Sequence, residues 1–250
     1  MDKKEIKRDR ISLLNVPLDI VQEDDLSFVI NELLSSKGSK NIVLLSLWDL
    51  LRARRNGDYR SYVTNAALVI PISKSLVSGS RFLRGKEAVR YMPFHFIIKL
   101  LSILEVRELS VYLIGGKNKT LKRAESNVSQ TFPFLEIIGR HPGYFKKHKE
   151  SDIIEAIRKA SPSLLLVGKG AYGEELWIHK NSDVMGCRIR LWCSDILDVF
   201  ANKRHHPSDY FFEHGFEWIG FCCRNPLLFF RIFPYLYYKL LLLIYKIRKR

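Results

Sequence analysis

The chain has 250 residues, of which 47% are hydrophobic and 12% aromatic, and a net charge of +15 from 41 Lys+Arg against 26 Asp+Glu. So much apolar material excludes a disordered chain, and the length suits one α/β domain with an appendage better than two full domains. The basic excess calls for an acidic partner: nucleic acid, anionic lipid or a phosphate-bearing substrate.

The start, MDKKEIKRDR, is charged and lacks an apolar run, so no secretory signal peptide is expected. Residues 11–21 read as a short strand broken at Pro17. Residues 24–36 have helical periodicity, with Leu26, Val29, Ile30, Leu33 and Leu34 on one side. A buried strand at 41–45 and a basic helix at 48–55 follow, the helix ended by Asn56-Gly57. A third strand at 66–70 stops at Pro71, and 73–83 and 94–104 read as helices.

A second β/α series then begins, with strands at 109–114, 135–139, 164–167 and 188–192 and helices at 119–132 and 152–159. Strands alternating with helices predict a parallel sheet covered by helices on both faces. The stretch SLLLVGKGAYGEELWI (163–178) combines an apolar run, the glycines Gly168, Gly170 and Gly173, and a helix start at Glu174 and Glu175. Strand, glycine turn and helix start is the geometry that presents backbone N–H groups to a phosphate. By itself this glycine signal is weak, and an ordinary βα turn fits the spacing equally well.

The tail changes character. From 221 to 250 there are seven cations (Arg224, Arg231, Lys239, Lys246, Arg248, Lys249 and Arg250) and no acidic residue, with apolar runs between them. Arg231, Pro234 and Lys239 interrupt those runs well before the ~20 residues a spanning helix needs. Arg231, Tyr235, Tyr238, Lys239 and Lys246 fall near one face of a wheel, which predicts a basic, aromatic amphipathic helix lying on anionic lipid. A helix packed on its own domain or on a partner is the bland alternative. The expected division is an α/β domain at 1–195 and a membrane-associating C-terminal appendage at 196–250.

Cys187, Cys193, Cys222 and Cys223 have no zinc-like spacing and do not form a disulfide framework in so long a chain, which points to a reducing compartment. Adjacent His205 and His206 rarely converge on one ion, so no metal is expected. Trp177 and Trp218 read as packing residues, and Asp49 and Asp58 offer no paired-carboxylate spacing. Arg52, Arg54, Arg55 and Arg60 cluster, but no nucleic-acid module accompanies them, so nucleic acid is not the expected partner.

Several blocks together resemble the WecG/TagA/CpsF bacterial glycosyltransferases. LLVGKGAYGEELWI resembles that family's LLVGLGxPKQExW segment, and VYLIGGKNKTLKRAESNVSQTFPFLEIIGRHPGYF resembles its VFLLGG, helix, YPxLxIVGxxxGYF block. LLRARRNGDYRSYVTNAALVIP and FEWIGFCCRNPLLFFRIFPYL resemble two further blocks, in order and at matching spacing from about Val16 to Leu236.

The resemblance implies an α/β fold with a Rossmann-like parallel sheet and a membrane-docking C-terminal appendage. It also implies inverting transfer of an N-acetylmannosamine-type sugar from a UDP donor to an undecaprenyl-diphosphate-linked sugar. The reaction would run without a cofactor or metal motif, at the inner face of the bacterial cytoplasmic membrane, in cell-surface polysaccharide or teichoic acid synthesis. Nucleotide-sugar contacts are carried over to Gly115, Gly116, Gly168, Gly170, Ala171, Glu174 and Glu175, and acceptor contacts to Ser46 and Arg90. The tail cations are carried over as membrane contacts. Homo-oligomerisation is compatible with the family.

The departures fall on the chemistry. The family's catalytic Asp, in a Pro-Asp-Gly motif, is Ile72 here, within VIPISKSL (69–76), and isoleucine cannot accept a proton. The Gln of its PKQE segment is Glu174. His95, Asp195 and Asp198 are the candidates for a replacement base. A relative that keeps the scaffold without catalysis, and binds a sugar nucleotide, lipid or partner enzyme, is the alternative expectation.

Overall fold

The computed structural model describes residues 8–206, 208–215 and 232–248. Trp218, Cys222, Cys223, Arg224, Arg231, Lys249 and Arg250 lie outside the described residues, so the expectations placed on them are not addressed by it.

The chain opens with a hairpin rather than one broken strand. β1 (Asp9–Leu13) pairs antiparallel with β2 (Val16–Ile20). Leu14 and Asn15 between them both have positive φ, as a two-residue hairpin turn demands. Pro17, read from sequence as a breaker, sits opposite Ser12 near the start of β2, where a missing N–H is tolerated.

The hairpin is fastened to the main sheet through Asp19, which is fully buried. Its carboxylate accepts from Arg10 at 2.7 Å and from the backbone N–H of Val69 at 2.6 Å.

From there the elements run α1 (Glu23–Ser35), β3 (Lys40–Leu45), α2 (Leu47–Arg55), α3 (Gly57–Thr64), β4 (Leu68–Pro71), α4 (Lys74–Arg84) and α5 (Pro93–Val106). The second half contributes β5 (Ser110–Ile114), α6 (Asn118–Thr131), β6 (Glu136–His141), α7 (Glu150–Ala160) and β7 (Leu164–Gly168). Then come α8 (Glu175–Lys180), β8 (Ile189–Ser194), α9 (Ile196–Phe200), α10 (Asp209–His214) and α11 (Ile232–Arg248). Helix α3 is absent from the sequence reading, as are α9 and α10. Asn56 ends α2 as expected, but its side chain at once accepts from the Tyr59 N–H at 2.8 Å and starts another helix.

Strands β3 to β8 form one six-stranded sheet in the order β4-β3-β8-β7-β5-β6, and every pairing is parallel. All five residues of β7 are buried, as a strand covered on both faces requires. Leu165 and Val167 pack into the layer that holds α2, α3, α4, α7 and α8, while Leu164 and Leu166 pack into the layer of α1, α5, α6 and α9.

Helix α11 docks on the first layer. Tyr238, Leu241 and Leu242 are buried, and the Tyr238 hydroxyl donates to the Ser75 carbonyl of α4 at 2.9 Å. Arg54 of α2 donates to the Tyr245 hydroxyl at 3.2 Å. The wheel drawn from sequence therefore needs correction. Tyr238 is not on a solvent-facing polar face, and the apolar residues do not form one continuous lipid face. They divide into a docked set and an exposed set, Phe233, Leu236, Leu240, Leu243 and Ile247. No described helix is long and apolar enough to cross a membrane.

Candidate functional site

In this strand order β8 lies between β3 and β7, and its connection leaves on the other side of the sheet. β3 and β7 lead into α2 and α8 in one layer, whereas β8 leads into α9 in the opposite one. Diverging connections open a crevice at the carboxyl ends of the strands. A cavity of about 690 Å³ occupies that place. Ser46, Ile72 and Asp195 come to it from the ends of three strands, and Glu174 and Glu175 from the start of α8. Phe94 lines it at the start of α5, and Arg204, His205, His206, Phe211 and Phe212 close its outer side.

Ser46 is the N-cap of α2. Its N–H and hydroxyl both donate to the Asp49 carboxylate, at 2.9 and 2.5 Å, and its oxygen accepts from the Asp49 N–H at 3.3 Å. This is a capping box. It turns Asp49, set aside in the sequence reading, into a cavity-lining carboxylate. The Ser-x-x-Asp spacing before an apolar run was a usable signal for it.

Glu175 is 8% exposed and lines the same cavity. Its carboxylate pairs with Arg52 of α2 at 3.2 Å, and that guanidinium also lies 4.2 Å over the Tyr59 ring. Burial pushes the Glu175 carboxyl up to about 7, and the neighbouring negative charges of Asp49 and Glu174 act in the same direction while Arg52 opposes them. Glu174 beside it has φ 54° and ψ −118°, an uncommon backbone for a non-glycine residue, at the point where the chain turns into α8.

Of the three residues expected to replace the base, the structure brings one to the cavity. Asp195 lines it, but its carboxylate is paired with Arg204 and lies 3.6 Å from the Lys169 ammonium. Asp198 is paired with Lys203 at 3.0 Å and is not part of the cavity wall. His95 also stands outside the wall, with a half-exposed ring 3.7 Å from Asp209. Its neighbour Phe94 faces the cavity instead, stacked on His206 at 4.8 Å.

Arg90 is likewise outside the wall. It donates to the Ile72 carbonyl at 3.0 Å and to the Phe212 carbonyl, and covers the Phe212 ring at 3.7 Å. With Lys74, which donates to the carbonyls of Glu213 and His214, it holds the end of α10 over the cavity.

The glycines form a seam among the loops after β5, β6 and β7. A Cβ on Gly143 would meet the Lys169 carbonyl at 2.5 Å, and one on Gly115 would meet the Gly168 backbone at 2.8 Å. The N–H groups of Gly115, Gly116 and Gly143 donate to the carbonyls of His141, Lys169 and Gly116. These glycines permit close backbone approach, and their own amides are taken up by bonds between the loops. Gly115, Gly116, Gly168, Gly170 and the buried Ala171 stand beside the cavity rather than in its wall, linked to it by the Lys169–Asp195 contact. Among the described residues no three His, Cys, Asp or Glu side chains come together as metal ligands.

The fold and crevice define a doubly wound α/β protein with its site at the switch point of the sheet. The family model described as "Glycosyl transferase WecG/TagA/CpsF family" matches residues 11–250, and the chain belongs to that family. It is similar to the N-acetylglucosaminyldiphosphoundecaprenol N-acetyl-beta-D-mannosaminyltransferase of Bacillus spizizenii, with 22% identity over 174 residues, covering 70% of this chain and 67% of that protein. The protein of the same name in Staphylococcus aureus (strain NCTC 8325 / PS 47) is 23% identical over 161 residues, covering 64% of this chain and 63% of its own length. The matched region thus spans about two thirds of each relative.

Proposed function

We propose that this chain transfers an N-acetylmannosamine-type sugar from a UDP donor to a sugar carried on undecaprenyl diphosphate, with inversion, at the inner face of a bacterial cytoplasmic membrane. The observation that carries this reading is the crevice at the strand ends, where carboxylates and cations converge in a cavity large enough for a sugar and a diphosphate.

In such a transfer the acceptor hydroxyl loses its proton as it attacks the anomeric carbon, and the electron pair of the breaking C–O bond leaves with UDP. The departing diphosphate needs positive charge. Arg204 and Lys169, now held by Asp195, are the cations nearest that task, and a bound diphosphate would compete with Asp195 for them. The relatives' names support the transferred sugar and the acceptor class. The exposed apolar side of α11 and the cations Lys239, Lys246 and Arg248 on that helix support a place on an anionic membrane, as its lipid-linked acceptor would require.

One observation favours a second reading. Ile72 stands in the cavity wall where the family motif has its aspartate, so a non-catalytic relative that binds a nucleotide, a lipid or a partner enzyme is also served by this site. Calorimetry with UDP and UDP-N-acetylmannosamine, alongside UDP release with a short lipid-diphosphate-N-acetylglucosamine acceptor, separates the two. Binding with acceptor-dependent release is the expected result. Binding without release would favour the second reading, and no binding by the folded protein would remove both nucleotide readings.

A further inference from the structure

We infer that Glu175 is the group that takes the acceptor hydroxyl's proton in this chain, standing in for the carboxylate missing at position 72. This rests on the transferase reading above and assigns its base.

The cavity has four acidic residues in its wall, and three are ill-suited. Asp195 is tied to Arg204 and Lys169, the cations a bound diphosphate would draw on, which puts it on the donor side of the site. One Asp49 oxygen accepts both the N–H and the hydroxyl of Ser46, which fixes that carboxylate as part of the α2 start. Glu174 lies on a strained turn and is exposed to solvent. Glu175 alone is both inside the wall and nearly removed from solvent, with 11% of its side chain exposed. A base works best where its proton affinity lies close to the working pH, and burial has brought this carboxyl into the neutral range.

The groups facing it come from every neighbouring element. Arg52 and Asp49 reach it from α2, and Tyr59 and Tyr62 lie behind it on α3. Glu174 and His179 belong to its own segment, the latter with its ring 5.9 Å from that of Tyr62. Arg190 of β8 lies beyond Tyr62, donating to Asn41 at 2.7 Å. Among the described residues Arg52 is the one cation in direct contact, so the carboxylate that must be present before each transfer has a fixed counter-charge at 3.2 Å.

The step balances. The acceptor O–H proton passes to the Glu175 carboxylate, the freed oxygen forms the new bond to the anomeric carbon, and the bond to the UDP oxygen breaks with its electron pair on UDP. The proton then leaves to solvent through the cavity mouth.

The test is UDP release from UDP-N-acetylmannosamine by the full chain, with a lipid-diphosphate-N-acetylglucosamine acceptor, from pH 5.5 to 9. The wild type is expected to lose rate on the acidic side through about 7, as the base becomes protonated. Glu175→Gln should lower turnover by about 10² or more. Adding Ile72→Asp to that variant should restore a measurable part of it, because a carboxylate returns to the cavity at the position of the family motif. Recovery in the double variant also shows that Glu175→Gln folds. Release that survives Glu175→Gln with its acidic limb intact would overturn the assignment and leave the transferase reading standing. Absence of release from the wild type would overturn the transferase reading, and this assignment with it.

Discussion

The hydroxyl of Tyr238 donates to the Ser75 carbonyl at 2.9 Å and occupies the space that a side chain at position 79 would fill, since a Cβ on Gly79 would lie 1.9 Å from it. Helix α11 is thereby keyed into a slot on α4 by one tyrosine and one missing side chain. Gly79→Val should close the slot and undock α11, and the expected readout is early proteolytic cleavage within 232–248 together with a lower melting temperature. Tyr238→Phe keeps the ring and loses only the hydrogen bond, so it should cost about 1 kcal/mol in urea unfolding. An equal loss for both variants would argue against the slot.

Glu175 also predicts a stability signature that does not depend on turnover. Its folded-state affinity for protons is raised, from an ordinary value of 4.5 to about 7. Between those values the native state binds more proton than the unfolded chain, so stability falls as pH rises from about 4.5 to about 7 and the contribution is flat above. The shift corresponds to a few kcal/mol at most, on the order of 1.4 kcal/mol per unit. Glu175→Gln removes this slope, although it leaves Arg52 without its partner. The difference in unfolding free energy between variant and wild type should therefore grow in the variant's favour across that window. A difference independent of pH would mean that the carboxyl is not held near neutrality.

Asp19 is the fastening of the hairpin, and its loss leaves the Val69 N–H without an acceptor and takes the carboxylate from Arg8 and Arg10, which keep only the carbonyls of Ala66 and Ala67. Arg10 can turn to solvent, but the Val69 amide is buried and cannot. Asp19→Ala should cost about 3 kcal/mol, the scale of a buried charge-assisted network. Urea denaturation measures it. A loss below about 1 kcal/mol would mean that water enters and replaces the carboxylate.

The legible parts of this structure were those fixed by local pattern. The apolar run of β7 named a strand buried on both faces, and the glycine stretch after it named a strand end at the crevice. What stayed hidden depended on strand order. Arg52 and Glu175 are 123 residues apart in sequence and meet because β8 inserts between β3 and β7, bringing α2 beside α8. Asp49 could be seen as a helix cap but not as a neighbour of Glu175. His95 lies outside the cavity wall for a smaller reason. One step along α5 turns Phe94 toward the cavity and His95 away, and periodicity fixes that only once the position of the cavity is known. Tyr238 looked like an interfacial aromatic because nothing in the tail reveals that Gly79 leaves room for it.

The glycine seam gives a paired comparison. Gly143→Ala sets a methyl 2.5 Å from the Lys169 carbonyl, and backbone on both sides must move. The cost should reach about 2 kcal/mol, the scale of overpacking, and the Lys169–Asp195 contact at the cavity edge should shift with the loop. Weaker UDP binding by calorimetry is therefore expected with it. Gly57→Ala meets nothing within 4 Å, at the first position of α3. It should be neutral or stabilising by up to about 1 kcal/mol, with UDP binding unchanged.

The exposed side of α11 yields the last prediction. Deleting the helix would also bare α4 and the Gly79 slot, so a truncated chain confounds lipid contact with folding. Leu240 and Leu243 are 54% and 52% exposed and lie on the side away from Tyr238 and Leu241, so they can be changed without touching the docked face. The double variant Leu240→Asp, Leu243→Asp should melt within a few degrees of the wild type. Its sedimentation with vesicles of anionic phospholipid should fall at least about tenfold, since two leucine side chains each contribute about 1.5–3 kcal/mol when removed from water. Raising the salt should weaken the wild type's binding further if Lys239 and Arg248 face the headgroups, because exposed charges are screened within about 8 Å at physiological ionic strength. Undiminished sedimentation of the double variant would show that this face does not meet the membrane, and would move the contact to another surface of the chain.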